Sequence, residues 1–394
     1  MFALVLVAYS VNAMDRMVFP ILLPDVRKEY GFGLGAAGLQ STIFALGMAL
    51  TGIPAGLLLR KASRRFVIVT GTVLFSAATI LTCVSAGFWD MLLWRVLSGV
   101  GEALQLAAII TVAAHAFPRH RGLAIGSVNM AFAAGSVIGP SLGVALRGSH
   151  DSWRAPMVVF GLIGVVAALL VATAVRRSLT EALLTGASVH HEGGATSLRS
   201  WNPLLLAAIT VLFGLVDFAY IGMYPSYLRE ALGFTGAQAG LAVSLSGFAA
   251  FASPAGGWLV DRLRPRLAIA LLSGLDALAG AALFLGPHSV AWQAAWSLLF
   301  GLFASSGLYV GLAAGLVKSM HEDHASRASG LFITCIYLAA AFAGFLFSSL
   351  VQAVGWSSAG VIQITGLSVV GVLVAGLLKG GLFSRINAQV PTKE

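Results

Sequence analysis

Charge is what this chain has least of. Of its 394 residues, 24 are Lys or Arg and 15 are Asp or Glu, and a charged share of 10% is far too small to cover a water-exposed surface. A soluble domain is excluded. Cysteine is nearly absent: Cys83 and Cys335 lie far apart inside apolar runs, which leaves no disulfide framework and no thiolate metal site. No Gly-rich phosphate loop, nucleophile elbow or zinc motif occurs, which argues against an ATP-driven pump and against a membrane enzyme. No cofactor is expected. His115, His190, His191, His321 and His324 fall at run ends or in polar stretches without ligand spacing, and are read as solvated. The first apolar run starts almost at Met1 with no small-residue cleavage site, so no signal peptide is read.

What is there is apolar: 58% hydrophobic residues and a mean hydropathy of +0.91. Long runs punctuated by charge, Gly and Pro predict twelve crossings, at 2–24, 36–59, 66–87, 91–114, 122–146, 155–175, 203–228, 236–260, 267–286, 290–317, 326–352 and 358–379. The expectation is an all-α membrane protein. An N-terminal six-helix bundle covers 1–175, a polar linker 176–202, a second bundle 203–380 and a tail 381–394. If the N-terminus is inside, the inner loops and tail, including Arg60, Arg119, Arg121, Arg327 and Lys393, hold seventeen Lys and Arg. The outer loops hold five: Arg27, Lys28, Arg147, Arg154 and Arg229. That bias predicts both termini in the cytoplasm and assigns the net charge of +9 to loops, not to a nucleic-acid surface. The expected location is a bacterial inner membrane.

The halves repeat at an offset of 202 residues: Gly31-Phe32 with Gly233-Phe234, Gly38-Leu39 with Gly240-Leu241, Arg27 with Arg229, and Trp94, Leu97 and Gly99 with Trp296, Leu299 and Gly301. The same offset carries Asp15 onto Asp217. Parallel six-plus-six repeats are a transporter architecture with its site between the halves.

The first run carries Asn12-Ala-Met-Asp15-Arg16 near the bilayer midplane. A charge there costs roughly 2.5–3.5 kcal/mol on insertion scales. Two adjacent charges read either as a functional site or as an ion pair bracing helices. In the fourth run, Arg95-x3-Gly99-Val-Gly101-Glu102 puts Arg95, Gly99 and Glu102 on one face, with Glu102 also near the midplane. Arg95 reads equally as a brace. Gly135, Gly139, Pro140 and Gly143 in the fifth run form a small-residue stripe for close packing. Tyr220 and Tyr224, one turn apart, suit a cavity wall. Gln105, Asn129 and Tyr337 join them as candidate substrate contacts. Gln40, Asp276 and Thr334 read as helix–helix hydrogen bonds.

The loop after the eighth run, Gly257-Trp-Leu-Val-Asp261-Arg262, resembles the cytoplasmic signature G-x-L-x-D-R/K of the major facilitator superfamily, and departs from it at Arg264 and Pro265. The copy after the second run has Arg60 where the aspartate belongs and Ser63 where a glycine belongs. Arg95-x3-Gly-x-Gly and Asn-x2-Asp-Arg are similar to the organic-anion branch, the anion:cation symporters, and to spinster-like lipid transporters. The resemblance covers nearly the whole chain. It implies two rocking bundles, Asp15 and Glu102 as proton carriers, Arg16 as the anion site and a monomer. Asp217, a departure from that branch, joins the proton carriers through the repeat. Arg95, Gly99, Gly101, Gly139, Pro140, Gly257, Asp261 and Arg262 are then structural or gating residues. The function expected is proton-linked symport of a small organic anion. The alternatives are a lysolipid or amphipath exporter, and a non-transporting membrane sensor.

Overall fold

The computed structural model describes residues 1–116, 121–180, 191–192, 195–321, 325–380 and 385–386. The expectations for Arg119, His190, His324 and Lys393 and for much of the linker and tail lie outside the described residues. So do those for the side chains of Arg60, His115, Arg121, His191, Asp261 and Arg327.

Among the described residues, twelve helices are long and apolar enough to cross a membrane. They are α1 (Phe2–Tyr30), α2 (Leu34–Gly52), α3 (Arg64–Thr82), α4 (Phe88–Ala113), α5 (Gly126–His150) and α6 (Arg154–Ala174), then α7 (Trp201–Ala231), α8 (Gly236–Val260), α9 (Pro265–Leu285), α10 (Val290–Lys318), α11 (Gly330–Val354) and α12 (Trp356–Gly376). The first run does not stop at Pro24. Helix α1 carries Pro20 and Pro24 inside it and ends at Gly31, whose φ of 67° only glycine adopts without strain. A bilayer helix tolerates proline where neighbouring helices hold the freed backbone. Gly233, its partner in the repeat, has φ 69° at the exit of α7.

The repeat is written into the packing. A Cβ on Gly99 would overlap the carbonyl oxygen of Phe44, and a Cβ on Gly301 that of Ser246. Phe44 and Ser246 are themselves 202 residues apart, so α4 crosses α2 as α10 crosses α8. The halves meet along two seams. In one, Gly38 of α2 lies against Gly344 of α11, and Thr42 Oγ1 donates to the Ala341 carbonyl at 3.0 Å. In the other, Gly247 of α8 lies against Ser136 of α5, and the hydroxyls of Ser141 and Ser244 meet at 2.8 Å.

The halves differ in winding. Within the C-terminal half, Tyr227–Ala231 in α7, Leu302–Leu308 in α10 and Val361–Gly366 in α12 are π-helical. Each inserts residues into the 3.6-residue period, a device common at functional sites. After α6 a short turn spans Arg177–Thr180, and Ala195 pairs with the exit of α10 through the backbone of Ser319 and His321.

Candidate functional site

Ion pairs close the end of the molecule opposite the N-terminus. Asp25 of α1 accepts from Arg147 Nη2 at 2.8 Å and from Arg229 Nη1 of α7 at 2.9 Å. Arg27 of α1 pairs with Glu230 of α7. Arg154 holds Glu29 through both terminal nitrogens, at 2.5 and 2.8 Å. Two of these links cross from one half to the other. Asp25 and Glu230 were not singled out in the sequence. The signal was there: Arg27 and Arg229 are equivalent in the repeat, and each has an acid within two residues.

On the N-terminal side of that layer lies a cavity with about 180 Å³ of room for the centres of water-sized spheres. Helices α1, α4 and α5 form one wall, and α7, α8, α10 and α11 the other. Its charged lining residues are Arg16 on the first wall and Asp217 on the second. Aromatic rings dominate the rest, among them Phe132, Tyr220, Phe300, Tyr309 and Tyr337.

Arg16 is 4% exposed. Its Nε donates to Glu102 Oε2 at 3.0 Å and its Nη2 to Asn12 Oδ1 at 3.3 Å. Its guanidinium carbon lies 5.3 Å from the Phe132 ring and 5.6 Å from the Phe44 ring. Nη1 makes no hydrogen bond among the described residues and is not sealed from the cavity. The group is therefore held on one edge and open on the other.

Asp15 points elsewhere, because neighbours on a helix are about 100° apart. It does not line the cavity. Thr79 Oγ1 of α3 donates to Asp15 Oδ1 at 2.8 Å. Ser98 Oγ of α4 stands 3.2 Å from Asp15 Oδ2 and 3.1 Å from Glu102 Oε1. Ser98 has one hydroxyl hydrogen and two carboxyl neighbours, so it links the two acids through a shared proton position. Glu102 is fully buried and touches the cavity only through Arg16. Arg95 is fully buried as well. Its Nε donates to the Gln40 carbonyl at 3.4 Å, and its guanidinium lies 4.3 Å from the Phe19 ring. Its terminal nitrogens have no hydrogen-bond partner among the described residues, and its charge acts on Asp15 and Glu102.

Of the expected substrate contacts, Asn129, Tyr220 and Tyr337 line the cavity. Gln105 and Tyr224 do not. Gln105 is locked between helices: its Oε1 accepts from Asn12 at 2.8 Å, and its Nε2 donates to Thr72 Oγ1 at 2.8 Å and the Ala8 carbonyl at 3.1 Å. Tyr224 stands behind Tyr220, ring centroids 4.7 Å apart, and donates to Gln293 Oε1 at 2.9 Å. Asp217 is on the cavity wall, 9% exposed, without a hydrogen bond among the described residues. Gly135 and Gly139 of α5 pack on Ser10 and Met14 of α1, beside Asp15 and Arg16, and Pro140 follows in the same helix. Gly101 packs on Gly71 and Phe75 of α3. Gly257 has only an ordinary contact to Val310, and the Arg262 guanidinium lies 3.9 Å from the Trp258 ring centre. Asp276, expected to bond a neighbouring helix, has no partner for either oxygen among the described residues. Among the described residues no group of three or more His, Cys, Asp or Glu could hold a metal ion.

A model of the Major Facilitator Superfamily matches residues 5–344 and again 206–388. The chain is 28% identical over 284 residues to a putative metabolite transport protein of Haemophilus influenzae, an alignment covering 66% of each chain and so just under two thirds of that relative. It is 24% identical to the probable sulfoacetate transporter SauU of Cupriavidus necator, across 88% of this chain and 86% of the relative. In fold it resembles a bacterial homologue of the human lysosomal transporter spinster, solved inward-facing and unoccupied. That match has a TM-score of 0.76 at 18% identity, over 95% of this chain and 94% of the other.

Proposed function

Because the chain belongs to the major facilitator superfamily, we propose that it is a proton-coupled symporter of a small organic anion, a carboxylate or sugar acid. Its two six-helix halves would alternate access to the cavity between them. The observation that carries this reading is Arg16, held by Glu102 and Asn12 on one edge and open to the cavity at Nη1. A guanidinium presented in this way can take a carboxylate in a bidentate grip by letting go of Glu102.

The proton role rests on charge balance. The interior of the N-terminal half holds Asp15 and Glu102 against Arg16 and Arg95, which sum to zero when all are ionised. An incoming anion would leave the group at −1 in a low-dielectric interior unless a proton came with it. Glu102, released by Arg16, is where that proton is needed. Ser98 connects it to Asp15. Asp217 offers a third carboxylate on the facing wall. The Cupriavidus relative is named for an anion, sulfoacetate, which agrees with this class. A location in a bacterial inner membrane with both termini cytoplasmic, and action as a monomer, belong to the same proposal.

One observation favours a second reading. The aromatic and apolar lining of the cavity suits an amphipath with an anionic head, as a lysolipid exporter would need. Proton flux into liposomes bearing the purified protein and a trapped pH dye separates the two. Inward proton movement triggered by a small carboxylate, and lost in Asp15→Asn or Glu102→Gln, is the expected result. Silence with every small anion and a response to lysolipids would sink the symport reading in favour of the second. No flux with either class would leave the sensor.

A further inference from the structure

The C-terminal half buries a charge that the mechanism above leaves idle. Away from their ends, the spans α7 to α12 contain two carboxylates, Asp217 and Asp276, and no Lys or Arg. The N-terminal half balances its interior acids with Arg16 and Arg95; this half has nothing to balance with. Asp276 sits midway along α9, fully buried, with neither oxygen partnered among the described residues.

A hydroxyl flanks it one turn away on either side. One turn along the same face of α9, a Cβ on Gly280 would stand 3.0 Å from Thr365 Oγ1 of α12. One turn the other way, Ser273 lies against Gly371 of α12. Asp276 therefore lies in the α9–α12 seam between these two contacts, beside the π-helical segment Val361–Gly366. Ser273 Oγ, 1% exposed, and Thr365 Oγ1 also lack hydrogen-bond partners among the described residues. The α12 span contains no titratable side chain. Asp217 is the group on a packed helix whose charge acts on Asp276; Tyr220 and Tyr309 are acted on by Asp217 in turn.

An ionised carboxylate in the bilayer interior with no counter-charge and no hydrogen bond is too costly to persist. The seam must draw its positive charge from outside the chain. We propose that Asp276, with Ser273 and Thr365 beside it and Asp217 at the cavity wall, forms a monovalent-cation site in the C-terminal half, for a proton or a sodium ion. An all-oxygen set suits either ion and disfavours softer metals. Asp217 is the carboxylate that an ion in the cavity meets first. The site is separate from Asp15, Ser98 and Glu102, and it stands whether or not that group moves protons.

The test uses the purified full-length chain in detergent, with thermal unfolding followed by tryptophan fluorescence. Sodium chloride is compared with choline chloride at equal ionic strength, and mildly acidic with mildly alkaline buffer. An ion bound well above its dissociation constant raises Tm by a few degrees, on the order of 3 °C or more. The expected result is a sodium-dependent or an acid-dependent rise that Asp276→Asn abolishes and Asp15→Asn keeps. The first names sodium as the ion and the second names the proton. Asn has nearly the shape of Asp and needs no counter-charge. Should Asp276→Asn still fail to fold, Asp217→Asn provides the second arm, with a shifted midpoint for the same response. Equal Tm values in all four conditions, or an unaltered response in the variants of both C-terminal acids, would overturn the proposal.

Discussion

Ser98 is the smallest side chain on which the proposed mechanism depends. Its one hydroxyl bridges Asp15 and Glu102, and no other described side chain hydrogen-bonds to both. Ser98→Ala is expected to cut substrate-driven proton uptake about tenfold, or roughly 1.4 kcal/mol in the barrier, with substrate affinity changed less than about threefold. Parallel binding and proton-flux measurements separate the two effects. Arg16→Lys tests the other half of the site. An ammonium keeps the charge but lacks the planar fork that can stay on Asn12 while gripping a carboxylate in a bidentate way, so affinity for the anion is expected to fall on the order of tenfold to a hundredfold. Unchanged affinity in that variant would remove Arg16 from the anion site. Asp15, Arg16 and Glu102 were legible in the sequence because a charge inside an apolar run needs a reason. Ser98 and Thr79 were not, because hydroxyls are ordinary in membrane helices and usually bond their own backbone. Asp276 was visible but misread: among the described residues it has no bond to a neighbouring helix.

At the scale of helices, glycine crossings set the geometry. Gly99→Ala or Gly301→Ala would drive a methyl into a facing carbonyl oxygen, and each is expected to cost about 1–3 kcal/mol. Thermal unfolding should show the loss. Gly257→Ala, whose Cβ would meet Val310 at 3.6 Å, is expected to unfold like the wild type. If its transport then slows, the signature loop gates rather than packs. The crossings could be read as an offset of 202 between Gly99 and Gly301, but the surfaces they meet could not. Helix ends were less legible. Pro24 reads as a stop, yet α1 runs on to Tyr30 because the left-handed turn it needs is supplied at Gly31. The π-helical segments left no trace in the hydropathy pattern, since an apolar run has no polar face to lose register.

At the scale of the molecule, the ion-pair layer ties one half to the other. Asp25 takes arginines from both, and Arg27 pairs across to Glu230. Asp25→Asn removes one cross-link and leaves Arg147 and Arg229 facing each other. The population open at that end is expected to rise about tenfold. Distances between spin labels placed on the loops there would lengthen, and an unchanged distribution would show that the layer is not a latch. The repeat told which residues are equivalent; it could not tell which ones touch, because that depends on how far the halves are tilted. The cavity and the latch share one helix. Arg16 and Asp25 lie nine residues apart on α1, roughly 13 Å along its axis. Pro20 and Pro24 fall within that stretch and each removes one rung of the hydrogen-bond ladder, the first of them freeing the carbonyl of Arg16 itself. Such a strut is compliant in bending though stiff along its length. An anion settling on Arg16 is therefore expected to reach the Asp25 layer through a bend in this helix and not through a shift along its axis, a difference that spin labels on either side of Pro20 would read.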